Sequence, residues 1–310
     1  MSATTDTASS LRVRTVEWPT VVLIAAVYLT LGLLAWHHKA LAWWVILPIG
    51  AYAAALQSSL QHEVLHGHPT RNRTINELLI FPTAHFWLPF GRYRDTHLAH
   101  HNDAHLTDPI LDPESYYLLP DDWRKVQGIK RVLFTCNQTL GGRMLIGPAV
   151  SVARFWSTEW LAIYNGDRTM LRSWAVFAAS CAGSFTYIAV ICGMPFWQYI
   201  VMVAYPGISL ALVRSFCEHQ AVENLGERTI IVEASPFWSL LFLNNNLHLA
   251  HHARPGLAWY KLPAYYFAER QNLIATNNGY LMKGYREVFR RYFVTAKEPV
   301  AYPNVDWLKR

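Results

Sequence analysis

Charged residues are scarce in this chain of 310 residues: they make up 15% of it, whereas hydrophobic residues make up 52%. Globular chains carry about 25% charged residues, so the composition disfavours an ordinary soluble protein. The four cysteines have no CxxC spacing, which argues against a disulfide framework and against an iron–sulfur site. Residues 1–10 lack a basic segment followed by a short apolar core, so we expect no cleaved signal peptide.

Long uncharged apolar runs are present instead. They lie at about residues 19–36, 41–60, 174–194 and 197–213. A helix rises about 1.5 Å per residue, so each run is long enough, or almost long enough, to cross a hydrocarbon core of about 30 Å. We expect an all-α integral membrane protein with four transmembrane helices in two hairpins. The expected divisions are a cytoplasmic tail at 1–17, a membrane domain at 18–265 and a cytoplasmic C-terminal region at 266–310.

The basic residues predict the orientation of the chain. Of the 27 Lys and Arg residues, only Lys39 falls in a predicted outer turn, so nearly all positive charge lies on the side of both termini. The positive-inside rule makes that side cytoplasmic. The stretch 78–90 is apolar but is interrupted by Pro82 and Pro89, which predicts an interfacial or re-entrant segment.

Eight of the 14 histidines form three clusters. The clusters are His62 and His66; His97, His100 and His101; and His248, His251 and His252. In the last two, the i, i+3 and i+4 spacing lets three imidazoles share one helix face and converge on one metal. Eight imidazoles exceed one tetrahedral site, but two metal ions with four or more nitrogen ligands each would use them. All three clusters fall on the predicted cytoplasmic side, in the helical cap that would hold the metal site.

Other functions remain open on the residues alone. His62-Glu63-Val64-Leu65-His66 fits HExxH, the zinc-protease pattern, but a protease would leave the other two clusters unused. A histidine-rich metal transporter would favour ionisable residues inside the spans, and the four predicted spans contain none. His37, His38 and His85 lie outside the clusters, and we interpret them as ordinary hydrogen-bonded side chains.

The three boxes, HxxxH at 62–66 and HxxHH at 97–101 and 248–252, resemble those of the membrane fatty acid desaturase and hydroxylase superfamily. The resemblance covers about residues 20–265 and includes Asp108-Pro109 and the segment Pro-Gly-Leu-Ala-Trp-Tyr-Lys-Leu-Pro at 255–263. His-Gly-His-Pro-Thr at 66–70 and Asn-Asn-Asn-Leu-His at 244–248 are similar to a bacterial branch that includes dihydrorhizobitoxine desaturase.

The resemblance implies a non-haem diiron centre with O2 as co-substrate, its iron held by the eight box histidines. His219 matches a further histidine that family members have between boxes two and three. Some relatives have an Asn four residues before that histidine, acting through water; this chain has Ser215 there. Further candidates, as additional ligands or as partners of ring N–H groups, are His68, His105, Glu63, Asp103, Asp108, Ser215, Asn244, Asn245 and Asn246.

The implied reaction is reductive activation of O2 followed by removal of hydrogen from an unactivated C–H bond. We expect a desaturase of fatty acyl chains; the alternatives are a hydroxylase, or a desaturase of another amphiphile such as an amino-acid derivative or a carotenoid. The chain has no cytochrome b5-like His-Pro-Gly-Gly and no GxGxxG. Electrons would therefore come from a separate ferredoxin, rubredoxin or cytochrome with its reductase. The expected partners also include the lipid bilayer, in a bacterial inner membrane, and exclude nucleic acid.

Overall fold

The computed structural model describes residues 16–101 and 103–303, which are almost entirely helical. Most of the predicted tail at 1–17 and the end of the predicted C-terminal region, residues 304–310, lie outside the described residues. The side chain of Asp103, one of the predicted partner residues, also lies outside them.

Fourteen α-helices are found in the described part of the chain. They are α1 (Trp18–Trp36), α2 (Trp43–Leu65), α3 (Arg73–Leu79), α4 (Phe90–His100), α5 (Pro120–Lys125), α6 (Gly128–Cys136), α7 (Leu140–Tyr164), α8 (Leu171–Phe185), α9 (Phe196–Tyr199), α10 (Tyr205–Ser215), α11 (Pro236–Leu241), α12 (His248–Ala253), α13 (Leu262–Thr276) and α14 (Tyr285–Tyr292). Two π-helical segments, Thr186–Ile191 and Ile200–Ala204, extend α8 and join α9 to α10. Short 3-10 helices lie at Asp103–His105 and Leu225–Glu227, and β1 (Ile231–Val232) pairs in parallel with β2 (Leu281–Met282).

Four helical segments are long and apolar enough to cross a membrane: Trp18–Trp36, Trp43–Leu65, Leu171–Ile191 and Phe196–Ser215. They confirm the predicted helical fold with four spans. Two of the helices continue beyond the runs that the sequence predicts. Helix α2 extends five residues past residue 60 and carries His62 in its last turn, and α10 extends to Ser215 and includes Arg214.

Small residues bring the two central spans into close contact. A Cβ atom built on Gly207 of α10 would lie only 2.6 Å from the Cβ of Ala54 on α2. Ala51, Ala54 and Ala55 are buried along the same part of α2. Helices packed through such residues approach backbone to backbone, which is a common way of stabilising membrane helix pairs. This contact fixes the end of α2, with its histidines, relative to the end of α10.

The segment from Phe81 to Pro89, inside the stretch predicted to be re-entrant, contains no helix. Its backbone polar groups are bonded to side chains of the surrounding helices. The Tyr28 hydroxyl donates to the carbonyl of Pro82 at 2.9 Å, the Tyr199 hydroxyl donates to that of Ala84 at 3.2 Å, and the Ser180 hydroxyl accepts from Thr83 N–H at 3.0 Å. An irregular backbone at membrane depth requires such partners, because lipid supplies none.

Candidate metal centre

Nine histidines from four parts of the chain meet beneath the four spans. They are His62 and His66 at the end of α2, His97, His100 and His101 at the end of α4, His219 four residues beyond α10, and His248, His251 and His252 on α12. Six are buried, and the other three, His66, His101 and His252, are partly exposed. These are the eight box histidines and the one added by family resemblance.

The first group contains five of them: His62, His66, His97, His101 and His251. Their nitrogens all lie within 4.8 Å of one another. The Nε2 atom of His97 is 3.0 Å from those of both His62 and His101, and the Nε2 atom of His251 is 3.1 Å from that of His101.

The second group contains the other four: His100, His219, His248 and His252. The Nε2 atom of His219 is 3.1 Å from the Nε2 atoms of both His100 and His248. The two groups are neighbours, because the ring of His252 stacks on the ring of His101 of the first group with centroids 4.4 Å apart. His219, which stands outside the three boxes, is thus central to one group.

Each HxxHH box is divided between the two groups. The i and i+4 histidines of box two, His97 and His101, belong to the first group, while His100 belongs to the second. Box three is also divided: His251 belongs to the first group, and His248 and His252 belong to the second. We expected the three histidines of a box to converge on one metal, and the structure differs. At about 100° per residue, i and i+4 are about 40° apart on a helix, whereas i+3 points about 100° away from i+4.

The other ring nitrogen of four histidines has an oxygen partner. The Nδ1 atoms of His97 and His100 lie 2.9 Å from carboxylate oxygens of Glu114 and Asp112. The Nδ1 atom of His248 is 2.9 Å from the Oδ1 atom of Asn245, and that of His219 is 3.2 Å from the Thr229 hydroxyl. A carboxylate or amide oxygen can only accept a hydrogen bond, so the ring protons of His97, His100 and His248 are assigned to Nδ1.

This arrangement fits a metal cation. With their protons on Nδ1, His97 and His248 point Nε2 lone pairs at other histidine nitrogens only 3.0–3.1 Å away. The Nε2 atoms of His97 and His219 each face two other histidine nitrogens, and one proton can bridge only one such pair, whereas a cation can bind all of these nitrogens at once. The buried Nε2 atom of His66 has no hydrogen-bond partner among the described residues, which is expected of a ligand nitrogen.

The spacing also suits a shared ion. Nitrogens 3.0–3.1 Å apart are close enough for one metal ion to bind several of them in each group.

The electrostatics keep most of these rings neutral. Burial, with the neighbouring histidines His97, His68 and His252, lowers the pKa of His66 to about 2. Burial is also the main cause that lowers the pKa of His219, His248 and His251 well below the usual value. A neutral ring is the form that binds metal, so these ligand candidates need to release no proton.

The pKa of His100 shifts in the opposite direction, because several carboxylates surround this ring. Burial alone would lower its pKa, but Glu114, Asp112 and Glu218 outweigh burial and raise the pKa to about 9. The pKa of Glu114 falls to about 2, since His97 and His100 overcome the effect of its burial. The carboxylates thus supply negative charge beside the second group.

Among the other predicted partner residues, Asn245 contacts two histidines of the groups. Its Nδ2 atom also lies 3.3 Å from the Nε2 atom of His62. Asn244 donates to the carbonyl of Trp259, Asn246 to that of Val232, and Ser215 to that of Leu212. These three side chains therefore bond to backbone carbonyl groups and not to the histidines.

Asp108, His105, Glu63 and His68 also lie outside the two groups. Asp108 accepts the N–H groups of residues 110 and 111 and so shapes a turn. Glu63 and His68 form a third group with Glu17: the Nδ1 atom of His68 is 2.7 Å from Glu17, and Glu63 accepts the N–H of Trp259 at 2.9 Å. The Glu63 carboxylate is therefore not positioned as the general base that the HExxH interpretation requires.

Asp112, Glu114 and Thr229 also contact the histidines, although no prediction from the sequence included them. Asp112-Pro113-Glu114-Ser115 has the composition of a turn. The available signal was the presence of two carboxylates shortly after a histidine box, since metal-bound histidines commonly donate their second N–H to carboxylates. Thr229 gave no such signal, because it lies ten residues from His219 and reaches it through an isolated β-bridge.

Comparison with known proteins identifies the family. The family model described as Fatty acid desaturase matches residues 39–283, which is most of the chain and includes all nine histidines. A comparison with curated proteins gives no match. The resemblance to a particular bacterial branch therefore stays a prediction. Together with the four membrane-spanning helices, the match shows that this integral membrane protein belongs to the fatty acid desaturase family.

Proposed function

We propose that the protein is an O2-dependent diiron desaturase that introduces a double bond into a fatty acyl chain. Family membership supports an oxidoreductase of the desaturase or hydroxylase type acting on a lipid at the bilayer. The observation that carries the proposal is the division of nine histidines into groups of five and four, one group for each iron ion. Two bound iron ions would supply the activation of dioxygen and the removal of hydrogen from an unactivated C–H bond.

The protein's own residues hold and tune the site. Asp112, Glu114 and Asn245 keep the ring protons of His100, His97 and His248 on Nδ1, so that Nε2 is free to bind metal. The neutral imidazoles leave the iron pair cationic. The burial of the ligands beneath the spans excludes bulk water, which protects a reactive centre from side reactions.

Electron supply and orientation are parts of the same proposal. The sequence has no motif for a flavin, haem or iron–sulfur carrier, so a separate ferredoxin, rubredoxin or cytochrome and its reductase deliver the electrons. The distribution of Lys and Arg supports a site on the cytoplasmic side, as for a protein of the bacterial inner membrane.

Metal and product analysis together test the proposal. Protein purified with its iron retained should contain two iron ions per chain, and cells that express it with a matching reductase system should accumulate an unsaturated acyl chain, detected by mass spectrometry. An alcohol would identify a hydroxylase, and oxidation of an amino-acid derivative or a carotenoid would change the substrate. One metal per chain, or zinc in protein from iron-replete cells, would refute the diiron assignment.

A further inference from the structure

The last described segment of the chain folds back onto the loop that carries His219. Residues 296–302, here called the clasp, follow α14 and lie outside the region 39–283 that the family model matches. The clasp is fixed to the rest of the protein through an isolated parallel β-bridge between Leu118 and Ala301. Any role of the clasp in the metal centre is therefore not covered by the family match.

Lys297 is the charged centre of the clasp. Its side chain is only 5% exposed, and lysine is almost never buried to this extent unless its charge is paired. The ammonium group donates to the backbone carbonyl of His219 and lies 3.2 Å from a carboxylate oxygen of Glu298. It also lies over the ring of Tyr280, 5.9 Å from the centroid, within the range of a cation–π contact. Three different groups therefore fix the position of the Nζ atom.

Glu298 attaches the clasp to the same loop a second time. Its Oε1 atom accepts the N–H of Ala221 at 2.9 Å, and Ala221 lies two residues after His219. Its Oε2 atom accepts hydrogen bonds from Lys297 and from the Tyr117 hydroxyl. The lysine and the glutamate thus hold the loop at two neighbouring points of its backbone.

The carbonyl oxygen of His219 relies on Lys297 for a close hydrogen bond. His219 pairs with Thr229 in an isolated antiparallel β-bridge, whose two hydrogen bonds use the backbone groups of the flanking residues. Among the described residues, the other donor to this oxygen is the Tyr116 hydroxyl, at a long 3.5 Å. A buried carbonyl without a partner costs free energy, so the contact with Lys297 favours one position of this backbone.

The position of this backbone determines where the ring of His219 lies. Its Nε2 atom is 3.1 Å from the Nε2 atoms of both His100 and His248, and its Nδ1 atom is 3.2 Å from the Thr229 hydroxyl. Ligands of a metal site need to be held within about 0.5 Å of the productive geometry by the residues around them. Thr229 orients the ring from one end, and Lys297 fixes the main chain to which the ring is attached.

We propose that Lys297 is a positioning residue for His219, and that the clasp thereby strengthens binding of the metal ion held by the second group. The described contacts of Lys297 include no histidine ring, so Lys297 acts through the backbone of His219. The proposal deepens the proposed function and relies on it for the presence of two ions. Because His219 belongs to the second group alone, loss of Lys297 should weaken one ion and leave the other in place.

Stepwise removal of iron tests this role. Lys297→Met removes the charge and the hydrogen bond but keeps an unbranched side chain of similar length. The full-length protein is loaded anaerobically with two equivalents of iron-57(II) and treated with chelators of graded affinity, and Mössbauer spectroscopy follows which ion leaves. The signal lost in His219→Gln protein identifies the ion of the second group. In Lys297→Met that ion should bind about tenfold more weakly, as after loss of an outer partner of a ligand, and the other ion should bind as in wild type.

Two further variants separate positioning from folding. Glu298→Gln keeps the contact between Lys297 and the carbonyl of His219, so both ions should bind as in wild type. The double variant Lys297→Met, Glu298→Gln removes the unpaired carboxylate that Lys297→Met leaves buried, so it should be more stable than Lys297→Met and show the same weakened ion. Lys283→Met is the matched control, because Lys283 is an exposed lysine of the same part of the chain and should be replaceable without effect.

A monodisperse elution profile and a helical content equal to wild type show that a variant is folded; if Lys297→Met fails this check, the double variant decides. Unchanged affinity for both ions, or an equal loss of both, would overturn the role of Lys297. Recovery of the weakened ion in the double variant would also overturn it, because the defect would then come from the buried charge. If wild type binds two ions but forms no oxidised acyl chain, the proposed function fails and the role of Lys297 stands.

Discussion

Asp112 provides the sharpest test of the metal centre, because its role comes from the structure and not from a motif. Its carboxylate is 3% exposed and has three donors: Oδ1 accepts from the Nδ1 of His100 at 2.9 Å and from the N–H of Glu114 at 2.9 Å, and Oδ2 accepts from the N–H of Thr107 at 2.8 Å. Asp112→Asn keeps the volume but turns one acceptor into a donor and removes the charge beside His100.

The magnitude follows from these contacts. One buried donor now faces the new amide N–H₂ group, which costs about 1–3 kcal/mol of folding free energy in the metal-free protein. His100 loses the partner that fixes its tautomer, and loss of such a partner lowers metal affinity by about 10–100-fold. Asp112→Ala would remove all acceptors at once and is the less informative variant.

Competition with a graded series of chelators measures the affinity, on protein loaded with two equivalents of iron under anaerobic conditions. Asp108→Asn is the matched control: Asp108 is also buried and also bonds backbone N–H groups in the same loop, but it contacts no histidine. Unchanged metal affinity in Asp112→Asn, or an equal loss in Asp108→Asn, would refute the assigned role of Asp112.

Three further predictions concern the histidines. His219→Gln should lower the iron content and abolish turnover. His85→Gln, at a buried histidine outside both groups, should retain iron content and turnover. Full iron content and near-normal turnover in His219→Gln would show that His219 is not a ligand. His37→Ala should retain activity, whereas His251→Ala should lose it while the protein still inserts into the membrane; an inactive His37→Ala protein of normal abundance would contradict the topology. The pKa of His66 is about 2 in the folded protein and about 6.5 in the unfolded chain, so on acidification His66 is protonated in the unfolded chain first. The free energy of unfolding of the metal-free protein should therefore fall as the pH drops below about 6.5, by about 1.4 kcal/mol at pH 5.5 from this group. Urea unfolding of apo protein between pH 5 and 6.5 measures this, because His100 is protonated there in both the folded and the unfolded chain, and a stability that rises on acidification within this range would contradict the sign.

The fold was largely predictable because the bilayer imposes strong rules on sequence. Uncharged runs of about twenty residues predicted all four spans, and the structure lengthened two of them, since a helix can carry His62 or Arg214 in its last turn once neighbouring helices cover it. The pair of short strands at residues 231–232 and 281–282 was not predicted, because two residues carry no periodicity.

The site was predictable as a set of residues and less so as an arrangement. Histidine spacing identified eight members of the two groups, and the family resemblance added His219. The division of each box between two groups depends on how α4 and α12 are rotated, which spacing alone leaves open. Asp112 and Thr229 were missed because an acidic turn and a lone threonine have many ordinary roles, and only tertiary packing brings them to His100 and His219.

The division of each box between the groups has a consequence for biosynthesis. Neither group is complete without α12, and His252 leaves the ribosome about 190 residues after His62. At about 5–20 residues per second this delay lasts about 10–40 s, during which the first hairpin is already in the membrane with only part of each ligand set. A metal ion captured early would find too few nitrogens to hold it, so stable loading waits until α12 has been made. The order of synthesis would therefore delay assembly of the proposed oxygen-activating centre until most of the helices that enclose it are present.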